Sequence, residues 1–266
     1  RTGLSGRIYQ RYIRRGYQKG RAYLSISKST QQDLHAFLGF EPTLSEVVYN
    51  GYNADFRQIS AAEAMAALGD DLWEALSGGF VLHVGGNQWY KNRVGVVTAY
   101  KRYAETVPDP KPLVLVGASP AADLKAAIDE SGPQGRIIVQ CDIPFERLRA
   151  LYNTASFLFF PSLAEGFGWP IAEAMACGCP VLTTDQAPMT EVGGGAISLL
   201  PCMPNKPAER KRWAALAAEK WQQLFQLTET ERTSMIHTGL IQAKRFEAES
   251  VLDRYEAIYR SILDIE

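Results

Sequence analysis

The chain has 266 residues, 46% of them apolar, which is enough for one large domain or two small ones. Its formal net charge of −1 gives no general attraction to nucleic acid, so nucleic acid is not an expected partner. No apolar run approaches the ~20 residues that a membrane-spanning helix requires.

The first 21 residues carry seven Lys or Arg and no acid. Apolar and aromatic side chains recur among them at helical spacing, which predicts a basic amphipathic helix. Two interpretations are open. A surface helix whose aromatic stripe covers a sheet is favoured, and contact with anionic lipid is the alternative.

A mixed segment follows and leads into a linker. In chain order it predicts a strand at 22–27, a helix capped by Ser29 or Thr30 and ending at Leu38, a strand at 47–49, a turn at 50–53, and a linker with one or two Ala-rich helices at 54–79.

From Phe80 the chain alternates regularly between apolar strand runs and helical stretches. The predicted strands are 80–84, 112–116, 136–140, 156–160, 180–183 and 196–200, and helices at 93–106, 121–131, 144–153 and 170–177 separate the first five. This alternation predicts an α/β fold with a doubly wound parallel sheet and a ligand at the carboxyl ends of its strands. The last third predicts helices at 207–225, 229–244 and 247–264, the last with an apolar stripe over 251–263.

Residues 161–180 contain the most informative stretch. A buried strand should end near Pro161, a loop with Gly166 and Gly168 follows, and Pro170 suits the start of a helix that ends at Gly178. Strand, glycine loop and helix N-terminus together favour an anion site. Glu165 and Glu173 bracket the loop, and carboxylates accept hydrogen bonds from hydroxyls, so a nucleotide sugar would match both parts.

The run Glu165-Gly-Phe-Gly-Trp-Pro-Ile-Ala-Glu173, with the residues after it, resembles the Glu-x7-Glu signature of retaining GT-B glycosyltransferases of family 4 (group 1). The resemblance covers mainly their C-terminal, donor-binding domain. It implies the tail of an N-terminal acceptor domain at 1–53, a linker with helices at 54–79, a donor-binding domain at 80–245 and a crossover helix at 246–266. The chain begins at Arg1 without Met, so we interpret it as a fragment of a hexosyltransferase, and we expect it to bind the donor without catalysing transfer alone.

The segment after the first strand of that domain resembles the family's Gly-Arg-x4-Lys-Asn segment, whose Arg and Lys hold the donor diphosphate. Gly85, Lys91 and Asn92 match, whereas Gly86 stands where the family has Arg. Arg93 could supply the missing charge, or the loop could bind phosphate through backbone N–H groups alone.

The resemblance assigns further donor contacts. Ile143 would meet the base through its backbone, which leaves UDP and GDP equally open. Glu165 would hold hydroxyls of the transferred sugar, and Glu173 the ribose hydroxyls. The amides of Gly166, Phe167 and Gly168 would join Lys91 in stabilising the diphosphate leaving group. Glu165 and Lys91 are thus the catalytic candidates, and no metal or other cofactor is expected.

The expected function is transfer of a sugar from a UDP- or GDP-sugar, with retention, to a glycan or lipid-linked acceptor. Two alternatives remain: a sugar-nucleotide epimerase on the same architecture, and a non-catalytic nucleotide-sugar-binding subunit. Four cysteines without metal-ligand spacing suit a reducing cytoplasm, with the inner membrane face as a candidate peripheral location. His83 is interpreted as a core residue and Glu191 as structural.

Overall fold

A computed structural model describes residues 3–130 and 136–263. Eight strands are found there: β1 (Ala22–Ser25), β2 (Leu44–Val47), β3 (Val81–Val84), β4 (Leu113–Val116), β5 (Ile137–Gln140), β6 (Phe157–Phe160), β7 (Val181–Thr184) and β8 (Ser198–Leu200). The α-helices of the same ranges are α1 (Leu4–Tyr17), α2 (Lys28–Leu38), α3 (Ala61–Leu68), α4 (Asp70–Leu76), α5 (Arg93–Ala104), α6 (Ala122–Asp129), α7 (Phe145–Thr154), α8 (Trp169–Ala176), α9 (Met189–Gly193), α10 (Pro207–Phe225), α11 (Glu229–Ala243) and α12 (Ala248–Leu263).

The six strands β3 to β8 form one parallel sheet in the order β5-β4-β3-β6-β7-β8. The chain therefore winds outward from β3 in one direction and then, from β6, in the other. The predicted doubly wound sheet is confirmed. Its direction of winding reverses between β3 and β6, and the crevice beyond their carboxyl ends is where such sheets bind ligands.

Two apolar cores cover the two faces of this sheet. Alternate residues of a strand point to opposite faces, so Leu158 and Phe160 enter one core while Phe157 and Phe159 enter the other. The first core is closed by α3, α7 and α8, and the second by α5 and α10. Burial on both faces explains why the strand runs are almost continuously apolar.

The first strands form a separate unit, with β1 and β2 paired in parallel and α2 between them. Three predicted boundaries there are wrong. The first strand ends at Ser25 rather than at residue 27. The cap of α2 is Ser27, whose hydroxyl accepts the Thr30 amide hydrogen, rather than Ser29 or Thr30. The second strand spans Leu44–Val47 rather than 47–49. The Val48 amide still donates to the Ser25 carbonyl at 2.9 Å, while the Val48 side chain packs on α12 and Tyr49 packs on Phe246.

The α1 helix forms as predicted, but its aromatic stripe covers no sheet within the described ranges. Ile8, Tyr9 and Tyr12 are 65%, 64% and 77% exposed. The helix contacts α2 instead, where Tyr17 meets Phe37 edge to face. The favoured interpretation of this stripe is therefore wrong, and the described face is open.

The C-terminal helix α12 packs on the two-stranded sheet through Val251 and Ile258. An ion pair between Arg254 and Glu46, 2.9 Å apart, lies beside this contact. Other apolar positions of its stripe, Leu252, Tyr259 and Leu263, are exposed. The stripe therefore divides between a covered and an open side of the helix.

The short helix α9, which a 3₁₀ turn at Gly194–Ala196 follows, was not predicted. Its five residues are too few to show helical periodicity, and the glycines after it indicate a loop. Within the described ranges no helix is long and apolar enough to cross a bilayer.

Candidate functional site

The loops that follow β3 and β6 meet at the reversal point of the sheet. Lys91 Nζ lies 2.7 Å from Glu165 Oε1, and both side chains are largely buried. The Ser162 hydroxyl donates to the same carboxylate oxygen at 2.8 Å. A backbone bond from the Leu163 amide to the Tyr90 carbonyl, 2.7 Å long, joins the loops directly. Both predicted catalytic residues therefore share one ion pair across the crevice.

Glycines shape the backbone around this pair. Gly168 has a φ of 99°, a conformation that favours glycine, and it caps α8 where the helix begins. Gly117, after β4, approaches Gly85 so closely that a Cβ at position 117 would lie 2.1 Å from the Gly85 carbonyl oxygen. The loops after β3, β4 and β6 are thus packed backbone to backbone.

Asn92 also holds the loops together. It has a φ of 55° at the start of α5, and its side-chain amide donates to the Pro161 carbonyl at 3.1 Å. This left-handed conformation is one that Asn tolerates better than most residues. Asn92 therefore positions Lys91 by fixing the turn directly after it.

Glu173 lies on the first turns of α8, where Tyr152 on α7 donates its hydroxyl hydrogen to Oε2 at 2.9 Å. Burial raises the pKa of Glu173 to about 6, against the lowering effects of the Tyr152 hydrogen bond and of Lys91. A carboxyl with this pKa still ionises at neutral pH. Such a group can accept hydrogen bonds from ligand hydroxyls.

Arg93 is almost fully buried at the carboxyl ends of β3 and β4. Its Nη1 donates to Asn87 Oδ1 and to the Ala118 carbonyl, each at 2.7 Å. Its Nε and Nη2 have no hydrogen-bond partner among the described residues. Burial lowers its pKa from the usual value, but no described acid pairs with it. A buried cation without a counter-ion is costly unless a ligand supplies the anion.

His83 lies fully buried in β3 and its Nδ1 is 2.9 Å from the Phe159 carbonyl. Because a carbonyl only accepts, Nδ1 carries the hydrogen, and Nε2 is left without a partner among the described residues. Burial lowers the pKa of His83 to about 4, so the ring is neutral at pH 7. The histidine is a core residue whose bare nitrogen lies under Gly85.

The remaining predicted contacts lie around the same crevice. Gly86 follows Gly85 in the loop after β3, and Gly166 follows Glu165 in the loop after β6. Ile143 packs partly against the core, and its backbone is the predicted contact for a base. Phe167 points inward, with its ring 5.3 Å from that of Phe246, so it too could meet a ligand only through its backbone.

The unit formed by β1, α2 and β2 contacts the loop that follows β6. Thr30 Oγ1 donates to the Gly166 carbonyl at 3.1 Å. The carboxylate of Glu191 accepts the amide hydrogens of Lys28 and Ser29 at 2.8 and 2.9 Å. Glu191 therefore caps α2 from another part of the chain, in keeping with the structural interpretation.

Three residues of the site carried no recognisable signal in the sequence. Ser162 follows a buried strand like any polar turn residue, Tyr152 fits the apolar face of its helix, and Gly117 is one glycine among 22. Their contacts with Glu165, Glu173 and Gly85 depend on strand order, which periodicity does not give.

No group of three or more His, Cys, Asp or Glu side chains within residues 3–130 and 136–263 could hold a metal ion. A cavity of about 550 Å³ lies away from the crevice, with Tyr52, Arg57, His237 and Lys244 in its lining. None of the predicted donor contacts borders it.

Known proteins resemble this chain in sequence and in fold. Residues 74–195, which include both loops, match the family model described as glycosyl transferases group 1. Residues 74–195 are therefore similar to a glycosyltransferase group 1 domain. The E. coli O-antigen chain mannosyltransferase B is 26% identical to it over 192 residues, 71% of this chain and 50% of that protein. The chain spans about half the length of this curated relative.

Solved structures share the fold of the glycosyltransferase domain and the units around it. Sucrose-phosphate synthase from Thermosynechococcus elongatus superposes with a TM-score of 0.77 at 20% identity, over 98% of this chain and 63% of that one. HepE from Anabaena, solved in complex with UDP and glucose, gives a TM-score of 0.74 at 19% identity, over 96% of this chain and 67% of its own. The chain therefore has the architecture of GT-B glycosyltransferases.

Proposed function

We propose that the crevice between β3 and β6 binds a nucleoside-diphosphate sugar, and that the chain supplies the donor side of a glycosyltransferase. The observation that carries this proposal is the Lys91–Glu165 ion pair across the reversal point. It brings a cation for the diphosphate and a carboxylate for the sugar together at one place. Glycine-lined backbone and the α8 N-terminus lie beside them.

In the donor complex each partner of this ion pair takes a ligand group. Lys91 turns from Glu165 to the diphosphate, and Glu165 accepts hydroxyls of the transferred sugar. Ser162 keeps the carboxylate in place during the exchange. Glu173, farther along α8, accepts the ribose hydroxyls through Oε1.

Transfer breaks the bond between the anomeric carbon and the diphosphate oxygen, which leaves with the electron pair. The acceptor hydroxyl oxygen bonds to the anomeric carbon on the same face, and its proton goes to the released diphosphate. Negative charge therefore develops beside Lys91 and the backbone amides of Gly166, Phe167 and Gly168. Hydrogen-bond donors already aimed at the place where charge develops are usually the largest contribution to catalysis of this kind.

Arg93 adds positive charge behind the loop that contains Gly86. Its Nη1 donates to Asn87 in that loop and to the Ala118 carbonyl after β4, and its Nε and Nη2 have no partner among the described residues. We propose that it acts on the diphosphate through its field rather than by an open contact. With Lys91, it would take the part that a divalent cation plays in metal-dependent transferases.

The acceptor side and the membrane contact belong to the same proposal. HepE is named in complex with UDP and glucose, and the E. coli relative is named for O-antigen synthesis. A UDP- or GDP-sugar donor and a glycan or lipid-linked acceptor would agree with these names. The open, basic face of α1 would suit an anionic lipid surface, such as the inner face of a membrane.

A transfer assay tests the proposal. The protein is incubated with a UDP- or GDP-sugar and a panel of glycan acceptors, in buffer with excess chelator. The chain should bind the nucleotide sugar, and Glu165→Gln should weaken that binding while free nucleotide still binds. With a chain that supplies the acceptor domain, release of nucleoside diphosphate together with a glycosylated product of unchanged anomeric configuration is expected. Conversion of the nucleotide sugar without an acceptor would indicate an epimerase. Binding without any conversion, even with a chain that supplies the acceptor domain, would indicate a non-catalytic subunit.

A further inference from the structure

The contact between Tyr152 and Glu173 joins two helices at the back of the proposed donor site. Tyr152 is fully buried, and Phe56 packs against its ring edge to face at 5.7 Å. Its hydroxyl points at Glu173 Oε2, 2.9 Å away. Because the ring is enclosed on α7, the hydroxyl has little freedom to take another direction.

The phenol acts only as a hydrogen donor in this pair. Burial, with the nearby Glu173 carboxylate as the second cause, raises the pKa of Tyr152 well above its usual value. The O–H bond therefore stays intact across the pH range in which proteins fold. Its hydrogen has one acceptor among the described residues, Oε2 of Glu173.

Tyr152 thus bonds one oxygen of the Glu173 carboxylate, Oε2, and leaves Oε1 for another donor. Oε1 of Glu173 accepts no hydrogen bond from any residue in the described ranges. Rotation of the carboxylate would break the bond to Tyr152, so Oε1 is directed away from the phenol. We propose that Tyr152 is a positioning residue of the donor site, a buried phenol that holds Glu173 so that its free oxygen meets a ligand hydroxyl. This inference rests on the proposed function of the site.

The hydrogen bond also favours the charged form of Glu173. A donor to a carboxylate stabilises the anion, whereas burial opposes it. The other group that acts on this carboxyl is Lys91, whose cation favours ionisation, and the nearby thiol is that of Cys177, which directly follows α8. Burial raises the pKa of Cys177 far above its usual value, so that thiol stays neutral. Removal of the phenol hydroxyl should therefore raise the pH at which Glu173 ionises.

The test compares wild type with Tyr152→Phe, which keeps the ring and removes only the hydroxyl. Carbon-13 NMR of the glutamate carboxyls follows the titration of Glu173, with Glu173→Gln used to assign its signal. The expected midpoint lies higher in Tyr152→Phe by roughly one pH unit. Calorimetry with UDP and GDP at pH 7 should show binding about fivefold weaker, the usual worth of one hydrogen bond.

A pH series of the calorimetry adds a readout that a merely structural role would not move. The nucleotide phosphates titrate equally with every variant, so the difference between variants reports on the protein. Binding by Tyr152→Phe should be lost at higher pH than binding by wild type. In a Glu173→Gln background, Tyr152→Phe should leave the pH profile unchanged.

Tyr103→Phe is the matched control, because Tyr103 is also buried but its hydroxyl accepts from the Lys111 amide in the opposite core. It should leave both the carboxyl titration and nucleotide binding as in wild type. An unchanged Glu173 midpoint in Tyr152→Phe would overturn the inference, and so would equal effects of the two phenylalanine variants. The carboxyl titration needs no nucleotide. Failure of wild type to bind either nucleotide would therefore count against the proposed function, separately from the effect of Tyr152 on Glu173.

Discussion

The carboxyl group of Glu173 is buried, an environment that is unfavourable for its charged form. Its pKa of about 6 arises mainly from burial, which disfavours the charged form. A structural role alone would be met as well by an uncharged residue of the same shape. Perturbed ionisable groups at the edge of a ligand crevice are typical of functional sites. Ionised Glu173 therefore lowers the free energy of unfolding at neutral pH, and its charge is available to a ligand.

Glu173→Gln should stabilise the protein at high pH and leave it unchanged at low pH. The carboxyl titrates near 4.3 in an unfolded chain and about 6 in the folded protein. Below pH 4 both states are protonated, so the substitution has no electrostatic effect. As pH rises through 6, ionisation increasingly favours the unfolded wild type, by a total of about 2 kcal/mol.

Urea unfolding at pH 4.5 and pH 8 measures this difference. The advantage of Glu173→Gln should be present at pH 8 and largely absent at pH 4.5. Glu219→Gln, the same chemical change at an exposed position on α10, should show no such dependence. A Glu173→Gln variant that is less stable than wild type at pH 8 would mean that the charge is needed by the fold.

At the scale of the elements, the sequence predicts well where periodicity is strong. Each of the six strands of the main sheet lies within one or two residues of its predicted run, because burial on both faces requires a continuous apolar segment. Predictions of short elements that are exposed on one side were less accurate. The second strand, Leu44–Val47, includes the polar Ser45 and Glu46, so its apolar run alone did not mark it.

The site shows the same limit. Glu165 and Glu173 could be predicted because they bracket a glycine loop between a strand and a helix, and Lys91 because its segment resembles the Gly-Arg-x4-Lys-Asn segment of GT-B glycosyltransferases. Their partners could not, because the pairing of Lys91 with Glu165 spans 74 residues and depends on β3 lying beside β6. Sequence spacing does not contain that adjacency.

The open face of α1 should bind anionic lipid. Ile8 and Tyr12 are exposed beside basic side chains, and such a face inserts at an interface while its charges attract acidic headgroups. Co-sedimentation with acidic vesicles should be strong at low salt and weak at high salt. The double substitution Ile8→Ser with Tyr12→Ser should reduce it at both.

Leu252→Ser on α12 is the control, since Leu252 is 66% exposed on another helix. It should leave co-sedimentation unchanged. Vesicle binding that does not depend on salt or on acidic lipid would assign the contact to exposed apolar surface in general rather than to α1. The same conclusion would follow if Leu252→Ser weakened binding as much as the double substitution does.

At the scale of the whole molecule, contacts join the unit of β1, β2 and α2 and the segment after it to the crevice between β3 and β6. The Thr30 hydroxyl reaches Gly166, and the Trp169 indole donates to the Gly51 carbonyl at 3.0 Å. The α12 helix, which follows the main-sheet domain in the chain, packs on the two-stranded sheet. The loop that would bind the donor sugar is thus held from both sides of the molecule.

The central claim is that a diphosphate binds at Lys91, beside the reversal point of the sheet. Calorimetry of wild type and Lys91→Ala with a nucleoside diphosphate and the matching monophosphate, for both uridine and guanosine, tests it most directly. Wild type should bind one nucleotide per chain, the diphosphate more tightly. Lys91→Ala should weaken diphosphate binding by about 1.5–3 kcal/mol, the worth of a charged hydrogen bond, and affect the monophosphate much less. Lys211→Ala, at an exposed lysine of α10, should bind as wild type does. An unchanged preference for diphosphate in Lys91→Ala would contradict the proposed donor site.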